Sequence, residues 1–262
     1  MGGHSTWLDL WPGYAGFKEG SRHIFGRTWT WQVFQTTHFE IDHFLFAILV
    51  AGFLVFGAMR YSAAVAGTGD AGLVPPPRLT LRNFFEGLCD VVFSLIEGVM
   101  GDRDARKYMP FIGSLFFFIL FSNLSSLIPG FRAPTNTLKT NLALSGLVFL
   151  ATHILGFRTH GIGYLQQFTG HLPLKSPLII LVPLMFVIEV ISHLVRPASL
   201  AIRLMVNMFA DHTVLLVFFG LVPWIVPVPF LALGVFVSVV QAVVFTLLSS
   251  SYIAMAIAHE EH

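Results

Sequence analysis

The sequence predicts an all-α polytopic membrane protein with about five membrane helices and one further amphipathic helix at the interface. Three observations predict it. Of 262 residues, 55% are hydrophobic and only 11% charged, against about 25% charged in soluble domains. Mean hydropathy is +0.75. The apolar residues, 27 Phe among them, gather into runs of membrane length, since about 20 helical residues cross a hydrocarbon core of about 30 Å. A net charge of +1 supplies no basic field for nucleic acid. The single cysteine, Cys89, excludes an internal disulfide.

Residues 1–41 hold no membrane-length run, and their tryptophans suggest an N-terminal interfacial or extracytoplasmic segment. Residues 42–262 are expected to form one membrane domain. Its first span is 42–59, which serves as its own insertion signal because no cleavable leader is read ahead of it. Asp42 and His43 mark the mouth of that span, as snorkelling caps or as a point of proton uptake. Residues 60–82 are a linker rich in Gly and Pro. Residues 83–100 are amphipathic, with Glu86, Asp90 and Glu97 on one face, and are expected to lie in the interface. The charged run 101–108 (GDRDARKY) is read as a solvated loop.

Spans follow at 109–130 and 141–157, the second bearing His153. Asn123, Ser125 and Ser126 are the polar insert of the first, suited to hydrogen bonds between helices. The Asn-Leu-Ser triplet there carries no glycosylation meaning inside a membrane. From 177 to 220 the chain is almost unbroken and apolar, about 66 Å if helical. It either crosses twice or runs strongly tilted, and Pro183 and Pro197 are possible kinks. A proline-rich turn at 221–230 precedes the last helix, 231–258, with Ser238, Gln241 and Thr246 along it. The terminal His259-Glu260-Glu261-His262 does not have H-E-x-x-H spacing and is read as a solvated tail.

The chemistry is concentrated in Glu189 to His212 (EVISHLVRPASLAIRLMVNMFADH). At about 100° per residue, Glu189, His193, Arg196, Arg203, Asn207 and Asp211 fall within an arc of roughly 80°, and His212 lies roughly 100° away. A guanidinium at membrane depth costs about 2.5–3.5 kcal/mol on insertion scales, so it faces water, a counter-charge or a transported ion. Glu189, His193, Asp211 and His212 exchange protons and Arg203 does not, which suits a proton relay with a fixed cation as its electrostatic gate. The rival is structural, with Arg203 paired to a carboxylate to lock two helices. Arg196, at the bend before Pro197, belongs to the path or snorkels. Asn207, one turn from Arg203, orients it or lines a wet cavity. His193 and Glu189 supply only two ligands, so no metal site is expected. No cofactor is expected either.

These residues carry a resemblance. RPASLAIRLMVNMFADH resembles the signature of subunit a of the rotary F-type ATP synthase: Pro, Ser-Leu, a variable pair, Arg-Leu, two residues, Asn-Met. FSNLSSLIPGFRAPTNTLKTNLALS is similar to the family's N-L-x-x-L-x-P-G and P-T-x-x-L-x-x-T stretch. QAVVFTLLSSSYIAMA is similar to its C-terminal Q-A-x-x-F-x-x-L stretch. The resemblance spans roughly residues 80–258.

It implies a proton-translocating stator subunit. Its last two helices would be long, tilted and curved against a rotor ring of c-type hairpin subunits, with b-type subunits of the peripheral stalk as further partners. Two aqueous half-channels would lead to and from the ring carboxylate, and Arg203 matches the family's essential arginine between them. Gln241 matches the glutamine that faces that arginine. Asn207 and Glu189 match polar half-channel positions, and Asn123, Ser126, Ser238 and Arg196 are secondary candidates. Three positions depart from the pattern. His212 stands where many bacterial members carry Glu. Gly234 stands where some carry His or Glu, so the missing carboxylate is expected from Asp211 or Glu189, with His212 lining a half-channel. Position 126, acidic in some members, is Ser.

No G-x-x-x-x-G-K-[ST] run is present, so the chain binds no nucleotide and makes ATP only as part of the complex. Loop 60–108 holds six Lys and Arg against three in the tail, which favours the N-terminus outside and the C-terminus in the cytoplasm. The membrane is read as a bacterial inner membrane, with the mitochondrial one as alternative. Two other functions fit the stripe alone: a stand-alone transporter or channel, and a structural subunit of a redox complex. Internal repeats and matching broken helices are absent, which counts against an inverted-repeat transporter.

Overall fold

The computed structural model describes residues 7–10, 12–25, 41–66, 81–128, 131, 133–161, 163–164, 182–221 and 227–258. Seven α-helices follow in chain order: α1 (Tyr14–Phe25), α2 (Ile41–Ala66), α3 (Leu81–Met100), α4 (Asp102–Ser125), α5 (Leu138–His160), α6 (Val182–Leu221) and α7 (Pro227–Ile257). No strand occurs among the described residues. Parts of the expected linker (67–80), of the loop after α5 (165–176), of the proline-rich turn (222–226) and the tail 259–262 lie outside them.

Five helices are long and apolar enough to cross a membrane: Asp42–Ala63, Asp102–Ser125, Leu138–His160, Pro183–Leu215 and Val228–Ile257. The chain is an all-α polytopic membrane protein. α3 is not one of the five. Val92 and Ile96 seal its inner face while Asp90 and Glu97 stay exposed. Its third carboxylate, Glu86, accepts from Arg82 Nε at 2.7 Å and from the Tyr61 hydroxyl at 3.0 Å. The Arg82 bond holds that carboxyl below its ordinary range.

Helix bounds correct the sequence reading at two places and choose between its alternatives at a third. Residues 102–108 are not a loop but the first two turns of α4. Gly101 (φ 77) ends the preceding turn, and Asp102 and Asp104 sit in the first turn of α4, where the helix dipole favours acids. Arg106 then pairs with Asp102 at 2.9 Å, four residues on. Charge density suggested solvent, but charges placed this way stabilise a helix start. α2 continues through Ala66, past the expected linker start at 60. Of the two readings of 177–220, the tilted single helix agrees with the described part, because α6 is one helix of 40 residues, Val182–Leu221, with Pro197 inside it. At about 60 Å it is twice the hydrocarbon thickness, so it must run obliquely.

α7 is the packing axis, set against α3, α4, α5 and α6. Its buried stripe is built of small or polar residues, Ser238, Ala242, Thr246, Ser249 and Ser250, with Phe245 and Ile253. Small residues let helix backbones approach where lipid supplies no hydrophobic drive. Thr246 and Ser250 satisfy their hydroxyls on carbonyls one turn back, both at 2.8 Å. Around this stripe pack Ile112, Phe116 and Ile119 of α4 and Leu200, Leu204 and Met208 of α6. At Gly156 of α5 the Tyr164 ring fills the space a Cβ would need.

Asp42 neither snorkels nor opens to water. It is fully buried, accepts a hydrogen bond from the Tyr14 hydroxyl and pairs with Lys18 at 2.9 Å. The short amphipathic α1 is thereby fastened over the start of α2.

Candidate functional site

The polar stripe lies along one edge of α6. Leu200, Ala201, Leu204, Met208 and Leu215 mark the side of this helix turned to the core. Arg203, about 100° from the middle of that side by helix geometry, is the stripe residue turned farthest away from it. Arg203 is exposed, and no described residue hydrogen-bonds or ion-pairs with it. The alternative of an arginine locked to an acid of its own chain has no counterpart among the described residues.

Toward the start of α6 the stripe turns inward. His193 is 5% exposed. Its Nδ1 lies 2.9 Å from the Glu189 carbonyl oxygen and 3.3 Å from Glu189 Oε1. The ring of His153, on α5, stands edge-on to it with 5.4 Å between centroids. Arg196 is half-buried, its guanidinium carbon 5.7 Å from the centre of the Tyr252 ring on α7. It is held by an aromatic face rather than stretched toward solvent. A cleft between α5, α6 and α7 joins these groups.

Toward the other end, Asp211 reaches α7. A Cβ on Gly234 would lie 2.8 Å from Asp211 Oδ2 and 2.6 Å from Leu127 Cδ2 of the chain after α4. The carboxylate occupies the room where a side chain at 234 would begin. By antiparallel register with the Leu127–Gly234 contact, Asn123 of α4 is level with Ser238 of α7, both fully buried. Asn123 Oδ1 accepts from Thr135 Oγ1 at 2.7 Å, and Asn141 Nδ2 donates to the Thr135 carbonyl at 2.7 Å. Ser126 Oγ donates to the Asn123 carbonyl at 2.6 Å. Asn123 and Ser126 therefore hold the Pro134–Asn136 turn and the end of α4 together. Ser122 Oγ, Asn123 Nδ2 and Ser238 Oγ are buried with no hydrogen-bond partner among the described residues, where water is the usual partner.

The two ends also set the register of α6 on α7. Asp211 opposes Gly234 and Arg196 opposes Tyr252. Between them Gln241, 8% exposed, lies across from residues 204–207, within a turn of Arg203 and Asn207. Asn207 is half-buried; His212 is in α6, but its side chain lies outside the described residues.

A family model described as ATP synthase A chain matches residues 41–254. The chain belongs to the ATP synthase subunit a family. It is 44% identical over 212 residues to the Bdellovibrio bacteriovorus protein named ATP synthase subunit a, covering 80% of this chain and 90% of that one. The Geobacter sulfurreducens ATP synthase subunit a is 46% identical over 173 residues, 66% of this chain and 72% of the relative. As a member of the ATP synthase subunit a family the chain is a proton-translocating stator subunit, non-catalytic in itself.

Within this family member the structure brings Glu189 and His193 together at one end and Asp211, Gly234 and Ser238 at the other. It adds groups that sequence reading did not select. Thr135 and Asn141 complete the Asn123 network, and His153 and Tyr252 complete the cleft. Their partners lie on other helices, so no spacing along the chain could have signalled them. No cluster of three metal-ligating side chains occurs among the described residues.

Proposed function

We propose that the chain carries protons to and from a rotor ring of hairpin subunits through two hydrated half-channels, with Arg203 keeping them apart. The single observation that carries this reading is the placement of Arg203. It stands exposed on the open edge of α6 between two inward-turned polar clusters. His193 is ten residues before it and Asp211 eight after, about 15 and 12 Å along the axis. One half-channel runs by Glu189, His193 and Arg196. The other runs by Asp211, Ser238 and the buried polar atoms of Ser122 and Asn123. Asp211 supplies the carboxylate that Gly234 cannot.

The cation attracts a deprotonated ring carboxylate as it passes and repels a proton moving directly from one cluster to the other. Asn207 and Gln241, level with it, orient the guanidinium. Each charge crossing is worth about 2.3 kcal/mol per 100 mV, so a direct leak would dissipate the gradient without rotation. The exposed apolar residues beside Arg203, Ile202, Val206 and Phe209, would meet the ring. The bacterial sources of the compared relatives and the Lys and Arg bias support a bacterial inner membrane. They support the N-terminus outside and the C-terminus in the cytoplasm. Peripheral-stalk b-type subunits complete the assembly.

Reconstitution tests this against a stand-alone transporter. The purified chain in vesicles is expected to pass no protons above the lipid background, while the complex purified with its ring pumps on addition of ATP. Uptake by the chain alone would overturn the proposal.

A further inference from the structure

We infer that His153 of α5 is a proton-relay residue, the third member of a Glu189–His193–His153 chain that carries the half-channel across from α6 to α5. The inference deepens the half-channel proposal and rests on it. Both imidazoles have their tautomer set by the backbone. His193 Nδ1 lies 2.9 Å from the Glu189 carbonyl oxygen and His153 Nδ1 lies 2.8 Å from the Phe149 carbonyl oxygen. A carbonyl only accepts, so each Nδ1 keeps its hydrogen and each Nε2 is the basic nitrogen. The rings stand edge-to-face, 72° apart, with 5.4 Å between centroids. That leaves their rims within the span of one bridging water.

The surroundings fit a wet passage. A small cleft of ≈ 20 Å³, room for about one water, sets the polar groups of Thr152, His153, His193, Arg196 and Tyr252 among apolar Val148, Phe149 and Leu200. Pro197, also at its wall, supplies no N–H to the carbonyl four residues back, adding an acceptor at this level. The ionisable groups around His153 come from every packed element. Among the described residues they are His193 and Arg196 from α6, with Glu189 beyond His193, Tyr252 from α7, and Tyr164 after α5, whose ring is 5.9 Å away edge-on. Tyr164 is buried, which pushes its phenol up and keeps it neutral. The step is balanced: His193 Nε2 takes a proton from cleft water, the imidazolium keeping its Nδ1–H on the Glu189 carbonyl and beside the Glu189 carboxylate, which stabilises the charge; that Nε2 proton then passes to the bridging water, which gives one of its own protons to His153 Nε2. The next transfer toward solvent returns His153 to the neutral form, and no bond other than N–H and O–H is made or broken.

The test uses the assembled membrane sector in vesicles stripped of the catalytic sector, with passive proton uptake driven by a potassium diffusion potential. His153→Gln keeps a polar side chain of similar reach but cannot carry a proton at neutral pH. His153→Ala opens the site to imidazole added in the buffer. Conduction is expected to fall roughly tenfold in both, short of the 10²–10⁴ typical of a lost proton-transfer group because cleft water bypasses part of the path. Added imidazole is expected to restore the alanine variant and not the glutamine variant. Wild-type conduction in His153→Gln would overturn the inference. So would slow conduction in His153→Ala that imidazole leaves unchanged, or loss of the subunit from the membrane in both variants, since each assigns His153 to packing. Arg203→Ala in vesicles that keep the catalytic sector separates the two proposals, because unaltered ATP-driven pumping there would remove the two-channel reading whatever the histidine variants do.

Discussion

Arg203→Ala is expected to abolish ATP-driven proton pumping by the assembled synthase, measured as acidification of inverted vesicles, while the subunit stays in the complex. The expectation follows from where the side chain sits. Arg203 contributes nothing to the described internal packing of the subunit, being exposed and unpaired among the described residues. Truncation therefore leaves the bundle of α3, α4, α5 and α7 intact. On the proposed reading, what it removes is the fixed charge opposite a ring carboxylate in a low-dielectric contact. Taking one partner from a buried pair costs about 3–5 kcal/mol, which slows rotation more than about 100-fold. Arg203→Lys should recover little, because an ammonium is a compact, strongly hydrated charge that can lose its proton when desolvated, whereas the guanidinium holds its own. Normal pumping with the complex intact would reject the role given to Arg203.

The second large effect concerns the two carboxylates at opposite ends of α6. Asp211→Asn and Glu189→Gln are each expected to slow proton conduction by about tenfold, the low end for a group whose proton transfers water can partly replace. The double variant discriminates further. Half-channels on opposite sides of Arg203 act in series, so their resistances add, and the double variant should be no more than about twofold slower than the slower single. Two carboxylates sharing one channel would instead give multiplied losses near 100-fold, an outcome that sinks the two-channel arrangement. Gly234→Val provides a steric check. Its Cβ would press within 2.8 Å of Asp211 Oδ2 and 2.6 Å of Leu127 Cδ2, displacing the carboxylate, so conduction should fall as far as in Asp211→Asn. Unchanged conduction in Gly234→Val would show that the position of Asp211 does not matter.

Much of this architecture is legible along the chain because bilayer thickness imposes its own period. The five helices of membrane length stand where the hydropathy runs lie, and the amphipathic stretch at 83–100 became α3 with Glu97 outward and Ile96 inward. The Glu189–His193 contact is an i, i+4 pair, which a helix guarantees. Misreadings fell where local signals compete. In 102–108 charge density argued for solvent while the order of the charges argued for a helix start, and the order prevailed. Pro197, read as a possible kink, lies inside α6, which stays one helix where it packs against α5 and α7. The contacts of Asp211 with Gly234 and of His153 with His193 join residues 23 and 40 positions apart on different helices. No periodicity encodes such pairings; they follow from the register in which α6 lies on its neighbours.

Sidedness of solvent access tests the central proposition most directly. In a complex carrying Cys89→Ser, single cysteines at 193 and 211 would be challenged with a membrane-impermeant thiol reagent applied to sealed vesicles of known orientation. The account predicts that position 193 is labelled only from the cytoplasmic side and position 211 only from the opposite side. Labelling of both positions from the same side, or of either from both sides with Arg203 in place, would contradict it.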